Sequence, residues 1–163
     1  MSVFDKDGNI RSVVARFVEE NINPAAKILD FGCGSEFIQG KYLIQQGFDV
    51  DAWDFGNNKP CECVDTLEQI YDVVYASNVL NVISSLSMLT ETLDQIYNCM
   101  KDGGVFVANY PKSPRKTLLT EEDLQEIIQE KFNGQVSRIH GTSSPMWVFT
   151  KIAHKSSCTN IVA

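Results

Sequence analysis

The sequence predicts an α/β fold: a doubly wound, mostly parallel sheet with helices on both faces and an antiparallel hairpin at its C-terminal end. Three observations carry that expectation. Ile28-Leu29-Asp30-Phe31-Gly32-Cys33-Gly34 is an apolar strand-like run that enters a glycine-spaced turn. A helix-compatible stretch from about Glu36 to Gln46 follows, and a second strand, Phe48 to Asp54, then ends on an acid. The two closing runs, Gln135 to His140 and Met146 to Ile152, are rich in β-formers and suit a hairpin.

Ahead of the first strand, Ile10 to Asn21 places Ile10, Val13, Val14, Phe17 and Val18 at helical spacing, an amphipathic segment that covers the sheet or lids a ligand. Pro24 breaks the chain before Lys27-Ile28-Leu29. After the second strand, Asn57-Asn58-Lys59-Pro60 is a turn and Cys61 to Asp65 reads as a short third strand. Asp72 to Ala76 is the fourth strand, and a helix from about Ser84 to Met100 leads to a turn at Asp102-Gly103-Gly104 before strand Val105 to Asn109. A further helix spans Thr120 to Lys131, with Thr120 as N-cap and Asp123 at the third helical position. This reads as one domain over 1–155 and a loose tail over 156–163.

The glycine turn is the strongest sign of a ligand. Glycine turns tightly at φ > 0 and leaves no side chain between the backbone and a bound molecule. In an open α/β sheet, ligands bind at the carboxyl ends of the strands, and an acid about 20 residues beyond the first glycine can accept hydrogen bonds from ribose hydroxyls. Asp54 fits that spacing from Gly32. Phe37 occupies the third-glycine position of a dinucleotide fingerprint, which disfavours nicotinamide and flavin cofactors.

The runs ILDFGCGSE, DVDAWDF, YDVVYASNVLNVI and KDGGVFVANY, in that order between Ala26 and Tyr110, resemble the successive motifs of class I S-adenosylmethionine-dependent methyltransferases. The resemblance implies a Rossmann-like fold, in a minimal single-domain form, and a cofactor that leaves as S-adenosylhomocysteine. It implies that Asp30, Gly32 and Gly34 surround the methionine part of the cofactor, with Cys33 in the same turn. Asp54, followed by Phe55, would bind the ribose, Asp65 or its neighbours would face the adenine, and Asn78 would sit beside the sulfonium and the acceptor. Methyl transfer is an in-line displacement that positioning alone can accelerate greatly, so a conspicuous catalytic side chain is not required. Tyr110 and His140 are candidates for a base or orienting group at the rim.

These residues also have purely structural readings. Asp30 and Asp54 can be turn residues, and Asn78 and Asn81 can cap the helix that follows them. The place after the fourth strand reads Ala76-Ser77-Asn78-Val79 and lacks the motif of DNA-base amino-methyltransferases, while Asn109-Tyr110-Pro111 follows the fifth strand instead.

Composition bounds the partners. The 163 residues carry 14 basic and 21 acidic side chains, a net charge of −7, which opposes stand-alone nucleic-acid binding. Lys112, Arg115 and Lys116 form a local basic loop able to steer or clamp an anionic substrate, or simply to stay solvated. No apolar run has membrane-spanning length, and Met1 to Gly8 lacks signal-peptide features, so a cytoplasmic protein is expected. Cys33, Cys61, Cys63, Cys99 and Cys158 read as free thiols without zinc-site spacing, and no metal is expected. The expected activity is methyl transfer to a small or partner-presented acceptor, an anionic one included. The rival is a methyltransferase-like binding or regulatory subunit without catalysis. A protein partner or a homo-oligomer stays open.

Overall fold

The structure, a computed structural model, describes residue 4 and residues 6–8, 12–60 and 65–154. The expected strand over 61–65, the start of the first helix at Ile10, the tail, Cys61, Cys63 and Cys158 therefore lie wholly or largely outside the described residues.

The elements in chain order are α1 (Val13–Asn21), β1 (Lys27–Phe31), α2 (Ile38–Gln45), β2 (Asp49–Trp53), β3 (Tyr71–Ala76), α3 (Leu86–Asn98), β4 (Met100–Asn109), α4 (Glu121–Phe132), β5 (Val136–Ile139) and β6 (Met146–Thr150). The six strands form one sheet in the order β2-β1-β3-β4-β6-β5. The first four are parallel, and β6 runs antiparallel to both β4 and β5, as expected for a closing hairpin.

The period-two alternation of the strands divides the core between the two faces of the sheet. Leu29 and Phe31 of β1 join Val74, Phe106 and Phe149 with Leu93 and Ile96 of α3 and Leu124 and Ile128 of α4. Ile28 joins Val50, Val73, Tyr75 and Val107 with Val14 and Val18 of α1 and Leu43 of α2. α1 thus covers the sheet, one of the two roles expected of it.

Local chemistry sets the boundaries. Ser12 caps α1 by accepting from the Ala15 amide at 3.3 Å, Ser85 caps α3 through Met88 N, and Thr120 caps α4 through Asp123 N at 3.1 Å. The Ser85 cap corrects the reading of Asn78 and Asn81 as caps of that helix. The expected turn at Asp102-Gly103-Gly104 lies inside β4 as a register break. Tyr71 stands opposite Met100 but Val73 opposite Val105, so the glycine stretch bulges between them. Glycine suits the bulge because a Cβ on Gly104 would lie 2.8 Å from Lys101 O and 2.9 Å from Asp72 O.

Candidate functional site

The carboxyl ends of β1, β2 and β3 meet at the Gly32–Gly34 turn. Both glycines are left-handed, with φ +78 and +79. The Gly32 and Cys33 amides donate to Trp53 O at 2.8 and 3.1 Å, tying the turn to the end of β2. A Cβ on Gly32 would lie 2.5 Å from Val79 Cγ2, so the loop after β3 presses directly on the turn. Around Gly34 the space is open, and a Cβ there would meet nothing within 4 Å. A cavity of about 280 Å³ opens here, lined by residues from Cys33 to Gln39.

Asp54 is buried, and its carboxylate bridges two backbone amides: Oδ2 accepts from Gly34 N and Oδ1 from Phe55 N, each at 2.6 Å. It holds the glycine turn against the end of β2. Each carboxylate oxygen has lone-pair capacity for a further donor. Phe55 is half-buried, set edge-on to Trp53 with ring centroids 4.5 Å apart. Cys33 is half-buried, and its Sγ donates to Gly34 O at 3.3 Å.

Asp30 lies deepest. It pairs in register with Tyr75 of β3 on the α1–α2 face, 2 % exposed. Asp30 Oδ2 and Tyr75 Oη are both buried and face each other, and neither has another hydrogen-bond partner among the described residues. Burial pushes the Asp30 carboxyl up from 3.8 to about 7, with Asp54 adding to the rise and the nearby Tyr75 hydroxyl opposing it. Burial, then the facing Asp30, raises Tyr75 well above its ordinary value. A buried polar pair with no further partner among the described residues, beside a side-chain-free turn, fits a polar ligand.

Asn78 follows β3 in a left-handed conformation, φ 58, and is exposed. Asn109, buried at the end of β4, holds it twice: Asn78 N donates to Asn109 Oδ1 at 2.7 Å and Asn109 Nδ2 donates to Asn78 Oδ1 at 2.8 Å. A second cavity, of about 210 Å³, is lined here by Asn78, Asn109, Ser12, Ser77 and Ser144 among others. Asn109 carries no site signal of its own in the sequence, where Asn109-Tyr110-Pro111 only resembles a base-methylation motif in the wrong place. Tyr75 was hidden inside an apolar strand.

The remaining candidates come from other segments of the chain. Tyr110 is fully buried, its hydroxyl donating to Leu119 O at 2.8 Å. The Arg115 guanidinium stacks 3.7 Å over the Tyr110 ring and donates to the Tyr110 and Pro111 carbonyls, so it braces the loop. Lys112 and Lys116 are exposed, as is His140 after β5. Asp65 is exposed and left-handed, φ 50, at the start of a short 3-10 turn without a side-chain cap bond. Among the described residues no cluster of His, Cys, Asp and Glu could hold a metal, and no helix is long and apolar enough to cross a membrane.

Comparison with known proteins places this geometry. No curated protein matches the sequence. Among solved structures, a TehB-like SAM-dependent methyltransferase from Corynebacterium glutamicum superposes with a TM-score of 0.65 at 20% identity, over 89% of this chain and 90% of that one. TehB from Haemophilus influenzae gives 0.57 at 17% identity over 84% of this chain, which spans only 61% of that protein. DesVI from Streptomyces venezuelae gives 0.64 at 10% identity, covering 86% and 91% of the two chains. These likenesses establish the fold. The profile of a methyltransferase domain matches residues 5–148, and by that match the chain belongs to the methyltransferase-domain family.

Proposed function

We propose that the chain methylates a small or partner-presented acceptor that reaches the second cavity, with the cofactor lying over the Gly32–Gly34 turn. The observation that supports this most is the open, side-chain-free turn that Asp54 anchors at one end and the loop bearing Asn78 presses at the other. Bound S-adenosylmethionine supplies a sulfonium-activated methyl group.

The chain's own residues then have positioning roles. Asp54 keeps the turn in shape through Gly34 N and retains acceptor capacity for the ribose hydroxyls. Asp30, ionised on binding, balances the cationic methionine end, and Cys33 and Phe55 complete the walls. Asp65 is a candidate for the adenine side, and Asn78 for the junction of methyl and acceptor. Lys112 and Lys116, exposed on the loop after β4, are placed to steer an anionic acceptor. Tyr110, with its hydroxyl held by Leu119 O, serves the loop better than it serves proton transfer. His140 stays a secondary candidate for a base.

The test is turnover. Purified protein, incubated with S-adenosylmethionine and the small-molecule fraction of a cell extract, is expected to release S-adenosylhomocysteine continuously. The macromolecular fraction tests a partner-presented acceptor in the same way. Tight cofactor binding without product from either fraction would instead support the non-catalytic binding subunit.

A further inference from the structure

The amide orientations around the second cavity can be assigned without ambiguity. A backbone N–H can only donate, so the Asn78 amide fixes the Asn109 atom facing it as Oδ1. Asn109 Nδ2 must then be the atom at 2.8 Å from the Asn78 side chain, which fixes that atom as Asn78 Oδ1. Asn109 takes one of the two lone pairs of Asn78 Oδ1, whereas the Asn78 NH₂ group donates to no described residue and is the end with most capacity left for a ligand. Asn109 Nδ2 also donates to Ser144 Oγ at 3.2 Å, so Ser144 keeps its own hydroxyl hydrogen to give elsewhere. Ser12 and Ser77 share one hydrogen bond at 3.0 Å, which leaves one of the two hydroxyl hydrogens unassigned. None of the described residues lining this cavity carries a formal charge.

We infer that Asn109 is a positioning residue that locks Asn78 as a hydrogen-bond donor, and that the cavity therefore takes a compact acceptor whose reacting end is an electron-rich, hydrogen-bond-accepting group, an anion in preference to an ammonium-like donor. This rests on the proposed function in taking the cavity as the acceptor site. The wall offers hydrogen-bond donors, and among its described residues no side chain carries a carboxylate or an imidazole to remove a proton. The acceptor atom must enter with its lone pair available.

The experiment is amide-resolved NMR on the ¹⁵N-labelled full chain saturated with S-adenosylhomocysteine, using formate and methylammonium as size-matched probes at fixed ionic strength. Formate is expected to shift the Asn78 side-chain amide and Ser144 saturably, about tenfold more tightly than methylammonium, the difference that one hydrogen bond to a charged group carries. Asn109→Asp replaces the donor facing Asn78 Oδ1 by an acceptor of the same shape, turning the Asn78 amide over. In that variant the preference for formate is expected to vanish or invert while S-adenosylhomocysteine still binds. Asn109→Leu, which breaks the clamp without adding a charge, separates this effect from the carboxylate's own repulsion of formate: an undiminished preference for formate in Asn109→Leu overturns the inference. Equal response to both probes, preference for methylammonium, or no response in wild-type protein overturns the inference. The wild-type titration decides alone if neither variant folds. The Gly32 and Gly34 amides report separately on S-adenosylhomocysteine: if they do not respond, it is the cofactor-site reading that fails.

Discussion

Asp30 is a buried carboxyl whose surroundings oppose its ionised form. Its carboxyl titrates near 7 in the fold against 3.8 ordinarily, so between those values the folded state holds a proton that the unfolded chain has released. Stability from this group falls as pH rises through that window and is level above it, by on the order of 4 kcal/mol at most. Denaturant unfolding of wild type and Asp30→Asn at pH 4 and pH 8 checks this: the variant is expected to gain relative to wild type as pH rises, and parallel curves would refute the burial account. If Asp30 ionises against the cofactor's cationic end, binding at pH 6 releases close to one proton. Calorimetry in buffers of different ionisation enthalpy reads that number directly.

The two glycines of the turn make a paired test at the same scale. Gly32→Ala drives a methyl group into Val79 Cγ2 at 2.5 Å in a left-handed conformation, whereas Gly34→Ala meets open space. Gly34→Ala is expected to cost about 1–2 kcal/mol in left-handed strain, and Gly32→Ala distinctly more. Thermal melts of the two variants compare them, and equal losses would mean that Val79 yields freely. The glycines and Asp54 were legible in the sequence because spacing exposes them. The anchoring of Gly34 N by Asp54 was not, since a contact between residues on different strands has no local signature.

At the scale of elements, the signals that worked were those in which one side chain acts on its own backbone. Thr120 was expected to cap α4 and does so through Asp123 N. Thr120→Ala is expected to lower stability by about 1 kcal/mol in denaturant unfolding. Helix ends governed by packing were less legible: α2 starts at Ile38 behind Phe37, which sits at φ 51 without a side-chain cap, two residues inside the expected start at Glu36. The β4 bulge was read as a turn because glycine marks both. What distinguishes them is pairing across the sheet, in which Gly103 N donates to Lys151 O at 2.8 Å and Lys151 N to Gly104 O at 2.9 Å.

Over the whole molecule, the succession of an apolar strand-like run, a glycine turn, a helix-compatible run and a second strand announced a sheet with helices on both faces, and the sheet order puts the ends of β1 and β3 side by side. That topology is why loops distant in sequence converge on the glycine turn. The rim was less legible. A run of cations in sequence says nothing of which are committed, and Arg115 proves to brace its own loop over Tyr110 while Lys112 and Lys116 face solvent. The Asn78–Asn109 clamp likewise spans two strands and had no signal beyond the two asparagines themselves.

The account stands on the cofactor lying over the glycine turn that Asp54 anchors, and calorimetric titration with S-adenosylhomocysteine tests that most directly. Wild-type protein is expected to bind saturably and to ignore NAD. Asp54→Ala, shown by circular dichroism to remain folded, is expected to bind about ten- to a hundredfold more weakly, as lost hydrogen bonds to a charged group imply. Undiminished affinity in that variant, or no binding by the folded wild-type chain, would contradict it.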